Sequence, residues 1–111
     1  MLTERKMLRF EPEFITLLNQ NVCQHIGYSP GRCFAVMLSL FNTLPVETRD
    51  KYISLAKYYS NHYKKHNSYE TIYVQINISK KLSRLFKKNN DRIIIIAVLL
   101  YHNVLTEKVG V

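Results

Sequence analysis

The amino-acid sequence predicts a mostly α-helical fold with a short two-stranded antiparallel ribbon. The first observation is an alternation of apolar with polar or aromatic residues over 71–78, which is typical of a strand buried on one face. The second is an abrupt change to helical spacing after Ile78, followed by residues 93–100, which are apolar on every side and predict a helix surrounded by protein. The third is a weaker form of the same order near the N-terminus, which supplies a second extended segment for the ribbon.

The first strand is predicted at residues 3–10. Its core-facing residues are Leu8 and Phe10, and its outward residues are Arg5, Met7 and Arg9. This alternation is weaker than the later one, because fewer of the inward positions are apolar.

Two helices are predicted after the first strand. The first begins near Pro12 and ends at Gly27, because proline suits a first helical turn and glycine is a common C-terminal stop. Its apolar stripe consists of Phe14, Leu17, Leu18, Val22 and Ile26. The second begins with the N-cap Ser29 and runs through residues 32–41, which are apolar on nearly every side, so burial of this helix is expected.

A further helix is predicted from Val46 to His66. Its apolar stripe consists of Tyr52, Leu55, Ala56, Tyr59 and Tyr63. The loop at residues 66–70 then returns the chain to the second strand. This connection is long enough to let the two strands pair antiparallel within one chain.

The second strand is predicted at residues 71–78. Its core-facing residues are Ile72, Val74, Ile76 and Ile78, and its outward residues are Tyr73, Gln75 and Asn77. Ser79 is the expected N-cap of a basic amphipathic helix with the apolar stripe Leu82, Leu85 and Phe86. The remaining positions are cationic, with no acidic residue among them: Lys80, Lys81, Arg84, Lys87 and Lys88.

The segment Asn89-Asn90-Asp91 allows two interpretations. A turn is favoured, because these residue types break and cap helices, and the apolar helix would then begin at Asp91. The alternative is one uninterrupted helix, since Leu82, Phe86, Ile93 and Ile96 also fit a single helical stripe.

Length and charge restrict the class of protein. The 111 residues predict a single domain, 1–111, with a first half at 1–45, a connecting helix and loop at 46–70 and a second half at 71–111. The net charge is +8, and it is uneven: residues 1–56 contribute +1 and residues 57–111 contribute +7. Such an imbalance favours nucleic acid as partner, with an acidic membrane surface or an acidic protein as alternatives.

The cellular location is predicted to be cytoplasmic, with both cysteines, Cys23 and Cys33, reduced, because two cysteines do not form a disulfide framework and no export signal precedes the first strand. Residues 93–100 are far shorter than the roughly 20 residues that a membrane span needs. No membrane partner is expected.

The two halves share a pattern at an offset of 68 residues: Leu8, Phe10 and Phe14 correspond to Ile76, Ile78 and Leu82. In the first half a Gly-x-Ser turn, Gly27-Tyr28-Ser29, separates the two helices. The order of strand, amphipathic helix, turn and apolar helix resembles the ribbon-helix-helix (Arc/MetJ-type) superfamily of DNA-binding proteins. Its repetition over residues 5–45 and 71–105 resembles the tandem, single-chain members of that family, such as the TraY proteins of the conjugation relaxosome.

The resemblance implies a double-stranded DNA-binding protein whose ribbon enters the major groove. The residues expected to contact bases are Arg5, Met7, Arg9, Tyr73, Gln75 and Asn77. The residues expected to contact phosphates are Ser29, Gly31, Arg32, Lys80, Lys81, Arg84, Lys87 and Lys88. The implied role is a transcriptional repressor or an accessory factor at a transfer origin, with the folded unit a single chain and several copies associating on adjacent sites.

Two differences from the family pattern concern the second half. From Phe10 to Ser29 is 19 residues but from Ile78 to Asp91 is 13, so the first helix of the second half is shorter. Asp91 also places a carboxylate where backbone amides of the family hold a DNA phosphate.

The alternative to DNA binding is that the outward strand residues are a solvated face and that the lysines serve solubility.

Other chemistry has weaker support. His62 and His66 have helical zinc-ligand spacing, and Cys23, His25 and Cys33 are three potential ligands, but surface histidines and buried thiols are the expected alternatives. Carboxylates are few and scattered, and no glycine-rich phosphate loop is present, so we expect no enzyme, no cofactor, no metal and no small-molecule substrate. The alternative function is a small helical interaction module, an inhibitor or adaptor, whose tyrosine-rich connector and basic face dock on an acidic protein.

Overall fold

The computed structural model describes residues 3–62 and 72–105 of the chain. The elements are β1 (Thr3–Phe10), α1 (Pro12–Leu18), a π-helical segment (Asn19–Cys23), α2 (Gln24–Ile26), α3 (Pro30–Asn42), α4 (Val46–His62), β2 (Ile72–Ser79), α5 (Lys80–Lys88) and α6 (Asp91–Tyr101). The fold is mostly helical with one two-stranded antiparallel sheet, as predicted. Thr71, at the predicted start of the second strand, lies outside the described residues.

The two strands pair antiparallel within one chain along their whole length. Thr3 lies opposite Ser79 at one end of the ribbon, and Phe10 lies opposite Ile72 at the other. The predicted alternation is confirmed for both strands, because Leu8, Phe10, Val74, Ile76 and Ile78 are buried. Ile72 was expected in the core, and this expectation is wrong: its side chain is 39% exposed at the end of the ribbon.

The inner face of the ribbon and the helices enclose one hydrophobic core. Every residue from Ile93 to Leu100 is buried, so the prediction of a helix surrounded by protein is confirmed for α6. Helix α4 packs along α6, where Ala56 and Tyr59 are buried and the ring of Tyr52 meets that of Tyr101 at 5.4 Å between centroids. Tyr63 and the predicted end of this helix at His66, together with the loop at 66–70, lie outside the described residues.

Helix α5 ends before α6 begins, so the interpretation as a turn is confirmed and a single helix is wrong. Asn89 has an extended backbone, with φ −135° and ψ 151°. The side chain of Asn90 caps α6, because its Oδ1 accepts a hydrogen bond from the backbone N–H of Ile93 at 2.9 Å.

The helical segment after β1 contains a distortion that the sequence did not predict. Between α1 and α2 the chain forms a π-helical turn, Asn19–Cys23, and α2 then ends at Gly27, whose φ of 72° is the left-handed conformation common at helix C-termini. Ile26, expected on the apolar stripe, is 50% exposed. A π-turn adds a residue to the helix, so positions after it leave the face that the regular spacing predicts.

Helix α3 is less buried than its composition predicts. Cys33, Phe34, Met37, Leu38 and Phe41 are buried, as expected. However, Val36 is 45% exposed and Leu40 is 51% exposed, so the expectation of burial on nearly every side is wrong. None of the helices within residues 3–62 and 72–105 combines the length and the apolar composition needed to cross a bilayer.

Candidate nucleic-acid interface

The outer face of the ribbon carries the side chains that the sequence predicted to point outward. Three opposite pairs follow one another along it: Arg5 with Asn77, Met7 with Gln75, and Arg9 with Tyr73. All of these side chains are exposed, and the apolar and aromatic members are prominent, with Met7 at 52% and Tyr73 at 58%. We call this set the ribbon face.

The inner residues fix the orientation of the ribbon face. Because successive side chains of a strand alternate between faces, burial of Leu8 and Phe10 on one strand and of Val74, Ile76 and Ile78 on the other forces their neighbours outward. Directly opposite residues of an antiparallel pair have Cβ atoms roughly 4.5–5.5 Å apart. The ribbon face is therefore one compact row of cationic, amide, thioether and phenol groups.

The start of helix α3 lies against the middle of β2. A Cβ built on Gly31 would lie 2.6 Å from the backbone oxygen of Gln75, so only glycine permits this approach. Ser29 caps the helix, and its Oγ accepts a hydrogen bond from the backbone N–H of Arg32 at 3.4 Å. The exposed guanidinium of Arg32 lies 4.2 Å from the ring centroid of Tyr28.

This arrangement brings the predicted residues Ser29, Gly31 and Arg32 close to the ribbon. It also adds Tyr28, which sequence reasoning did not include as a site residue. The Gly-x-Ser turn could have indicated Tyr28, because the central residue of this turn lies next to the N-cap Ser29.

Helix α5 places five cations on the surface directly after β2. The helix begins at the N-cap Ser79, whose Oγ accepts a hydrogen bond from the backbone N–H of Leu82 at 3.2 Å. Leu82 is buried, and Leu85 and Phe86 pack partly against the core, so the predicted amphipathic helix is confirmed. The exposed residues are Lys80, Lys81, Arg84, Lys87 and Lys88, and α5 contains no acidic residue.

The start of helix α6 is occupied by contacts within the chain. The Nζ of Lys6 lies 3.6 Å from Oδ1 of Asp91 and 4.7 Å from the ring centroid of Phe86. The Nε of Arg92 lies 3.2 Å from Oε2 of Glu11, and a further guanidinium nitrogen of Arg92 donates to the hydroxyl of Ser60.

These contacts distinguish the two apolar helices. The carboxylate of Asp91 already has a cation beside it, whereas the start of α3 presents an exposed arginine. The sequence shows the carboxylate of Asp91 at this position but does not indicate its partner. Lys6 lies on β1, far from Asp91 in the chain, so no local pattern links the two residues.

The thiols of Cys23 and Cys33 are buried, as expected. Burial raises the pKa of the Cys33 thiol from 9.0 to about 12, and the neighbouring Cys23 adds to the increase. Within the described ranges no cluster of three histidine, cysteine or acidic side chains is arranged to hold a metal ion, so Cys23, His25 and Cys33 do not form one. Nothing is described of the side chains of His62 and His66.

Comparison of the chain with protein-family models, with curated proteins and with solved structures finds no match. The features that bear on function are therefore the ribbon face, the start of α3 and the cations of α5.

Proposed function

We propose that the chain binds double-stranded DNA with sequence preference, by inserting the ribbon into the major groove. The observation that carries this proposal is the register of the ribbon face, in which Arg5, Met7 and Arg9 lie opposite Asn77, Gln75 and Tyr73. A two-stranded ribbon has the width that the major groove admits, and it presents both rows of side chains to the base edges.

The chemistry of the ribbon face suits base recognition. The guanidinium groups of Arg5 and Arg9 match the paired acceptors of guanine, and the amides of Gln75 and Asn77 match the acceptor and donor of adenine. Each good bidentate pair contributes roughly 1–3 kcal/mol of discrimination. Met7 and Tyr73 are exposed apolar surfaces that suit the methyl group of thymine.

Phosphate contacts would come from two places beside the ribbon. The start of α3 combines the backbone N–H of Gly31 and the hydroxyl of Ser29 with the exposed cation of Arg32, and groups of this kind bind anions at helix N-termini. The lysines and Arg84 of α5 form an exposed face without acidic residues, and opposed phosphates would relieve its repulsion. The start of α6 carries the carboxylate of Asp91, which pairs with Lys6 and would repel a phosphate. We therefore propose that this helix contributes less to phosphate binding.

The repeated order supports a tandem ribbon-helix-helix interpretation. The sequence offset of 68 residues makes Met7 and Gln75 equivalent positions, and these two residues also lie opposite each other in the ribbon. A pseudo-twofold axis through this pair would relate the halves. On this interpretation the chain acts as a repressor or as a relaxosome accessory factor, without cofactor, and one chain is the folded unit.

The alternative function, docking on an acidic protein through the tyrosine-rich connector and the basic face, has less support. Two of the connector's tyrosines pack within the chain, because Tyr59 is buried and the ring of Tyr52 meets that of Tyr101. Tyr58 is 63% exposed on the same helix, and it is the observation that keeps this alternative open to experiment.

The deciding experiment is selection from a random duplex pool at moderate salt. Recovery of one motif is expected, with affinity for that motif falling roughly a thousandfold between about 50 and about 200 mM salt if about six phosphates are contacted. Uniform recovery of all sequences would show electrostatic binding without base recognition. Failure to retain any duplex at low salt would contradict the proposal and favour the protein partner.

A further inference from the structure

Helix α3 presents an apolar strip to the surface. The strip consists of Val36, 45% exposed, and Leu40, 51% exposed, which lie one helical turn apart and therefore on one face. We propose that two copies of the chain meet at this strip, through a two-fold contact between their α3 helices. Val36 lies one helical turn after Arg32 on the same face of α3, so the strip begins beside a residue proposed to contact phosphate and does not include it.

The equivalent face of α6 is covered by another helix of the chain. When the N-caps Ser29 and Asn90 are aligned, Val36 corresponds to Ala97 and Leu40 corresponds to Tyr101. Ala97 is fully buried, and the ring of Tyr101 contacts Tyr52 of α4. Helix α4 thus covers on α6 the face that stays exposed on α3 in the described part of the chain.

Charge favours a second copy over an acidic protein as the occupant of this strip. The chain carries a net charge of +8, so two copies repel each other through most of their surfaces. The segment from Cys33 to Val46, however, contains no charged residue. Two basic chains can approach through this segment without opposed cations, whereas an acidic partner would be drawn to α5. A two-fold contact also needs only one self-complementary patch.

The length of the strip predicts a weak contact. A standard stable interface buries roughly 800 Å² and involves about 20–30 residues on each partner, whereas the strip consists of two partly exposed side chains. The dimer is therefore expected to form at high protein concentration. If the proposed DNA binding holds, copies on adjacent sites would also meet, because attachment to one duplex raises their effective concentration.

The test is sedimentation equilibrium of the free chain up to about 1 mM, a range that populates weak complexes. The variant Leu40→Lys places two ammonium groups near the two-fold axis. The matched control is Ile26→Lys, which makes the same charge change at a side chain of almost equal exposure, 50% against 51%, also near a helix C-terminus. Circular dichroism of all three proteins checks that each is folded.

We expect the average mass of the unmodified chain and of Ile26→Lys to rise from 13.1 kDa toward twice that value, and the mass of Leu40→Lys to stay at 13.1 kDa. A monomeric unmodified chain, an unchanged Leu40→Lys dimer, or equal loss in Ile26→Lys would each overturn the proposal. The experiment contains no DNA, so its failure is distinct from failure of the proposed function.

Discussion

Gly31 lies against the backbone of Gln75, with the position of a Cβ on Gly31 only 2.6 Å from the Gln75 carbonyl oxygen. This approach joins the start of α3 to the centre of β2. The side chain of Gln75 points to the opposite, outer face of the strand. The contact therefore fixes a candidate phosphate-binding helix start relative to a candidate base-contacting residue.

Replacement of Gly31 by Ala is expected to destabilise the protein by about 1–2 kcal/mol, because the added methyl group forces the helix away from β2 and this exceeds the gain in helix propensity. Urea unfolding measures the change in the free energy of unfolding. Ser39→Ala, at an exposed position of the same helix, is the control and should have little effect. Equal stability of Gly31→Ala and the unmodified chain would contradict the close approach.

The double variant Gln75→Ala/Asn77→Ala should lose preference for the selected DNA motif and keep its non-specific affinity. The reason is that the amides contact base edges in the proposed complex, whereas the cations that hold the phosphates remain. Competition binding measures the ratio of the affinity for the selected motif to the affinity for unrelated duplexes. This ratio should fall by about tenfold or more, because each bidentate pair contributes roughly 1–3 kcal/mol. Asn61→Ala, an exposed amide on α4, is the control. Equal loss on all duplexes would indicate a purely electrostatic surface.

Removal of two cations from α5 should flatten the salt dependence of DNA binding. Each lost phosphate contact lowers the slope of log affinity against log salt by about 0.9, so Lys80→Ala/Lys81→Ala should lower it by about 1.8. The matched variant Lys51→Ala/Lys57→Ala removes the same charge from exposed positions on α4 and should change the slope less. An identical slope in both variants would show that α5 has no special place in the interface.

The variant Asn90→Ala should lose about 1 kcal/mol of stability, because the backbone N–H of Ile93 loses its side-chain acceptor. Thermal or urea unfolding checks this value. Asn90→Ser restores an acceptor and should recover most of the loss, as serine is also a good N-cap. A stable Asn90→Ala protein with raised helix content would indicate that α5 and α6 join.

Stability should fall in alkaline solution because of Cys33. Burial raises the pKa of this thiol from 9.0 to about 12, so the folded chain retains a proton that the unfolded chain releases. The stabilising effect is complete below the unfolded value and is lost as pH rises from there toward the folded value, with about 1 kcal/mol expected between about pH 8 and about pH 10. Unfolding measured across this range should show a smaller decline in Cys33→Ala. A parallel decline in both proteins would assign the loss to other groups.

Hydrophobic period was sufficient to predict both strands and the sides of them that are buried. The alternation at Leu8 and Phe10 and at Val74, Ile76 and Ile78 leaves little choice, because a shift by one residue would expose every apolar side chain. The turn before α6 was predictable from Asn89 and Asn90, whose side chains favour turns and caps. The ribbon face followed from the same alternation.

Contacts between distant segments, the exposure of part of α3 and the strand register could not be predicted from the sequence. The contact of Lys6 with Asp91 and that of Arg92 with Glu11 and Ser60 join segments far apart in the chain, and no local pattern indicates them. The exposure of Val36 and Leu40 was also unpredictable, since composition alone does not show which helix α4 will cover. The strand register needed the structure as well, because the pattern limits it only to steps of two residues.

Pairing of β1 with β2 inside one polypeptide makes the ribbon independent of dilution. A ribbon shared between two separate chains dissociates when the chain concentration falls below the dissociation constant, but this ribbon persists in a single molecule. The two strands also mutate separately, so one edge of the ribbon can change its chemistry while the other is retained. If the ribbon binds DNA as proposed, substitutions in one strand would give it a non-palindromic target.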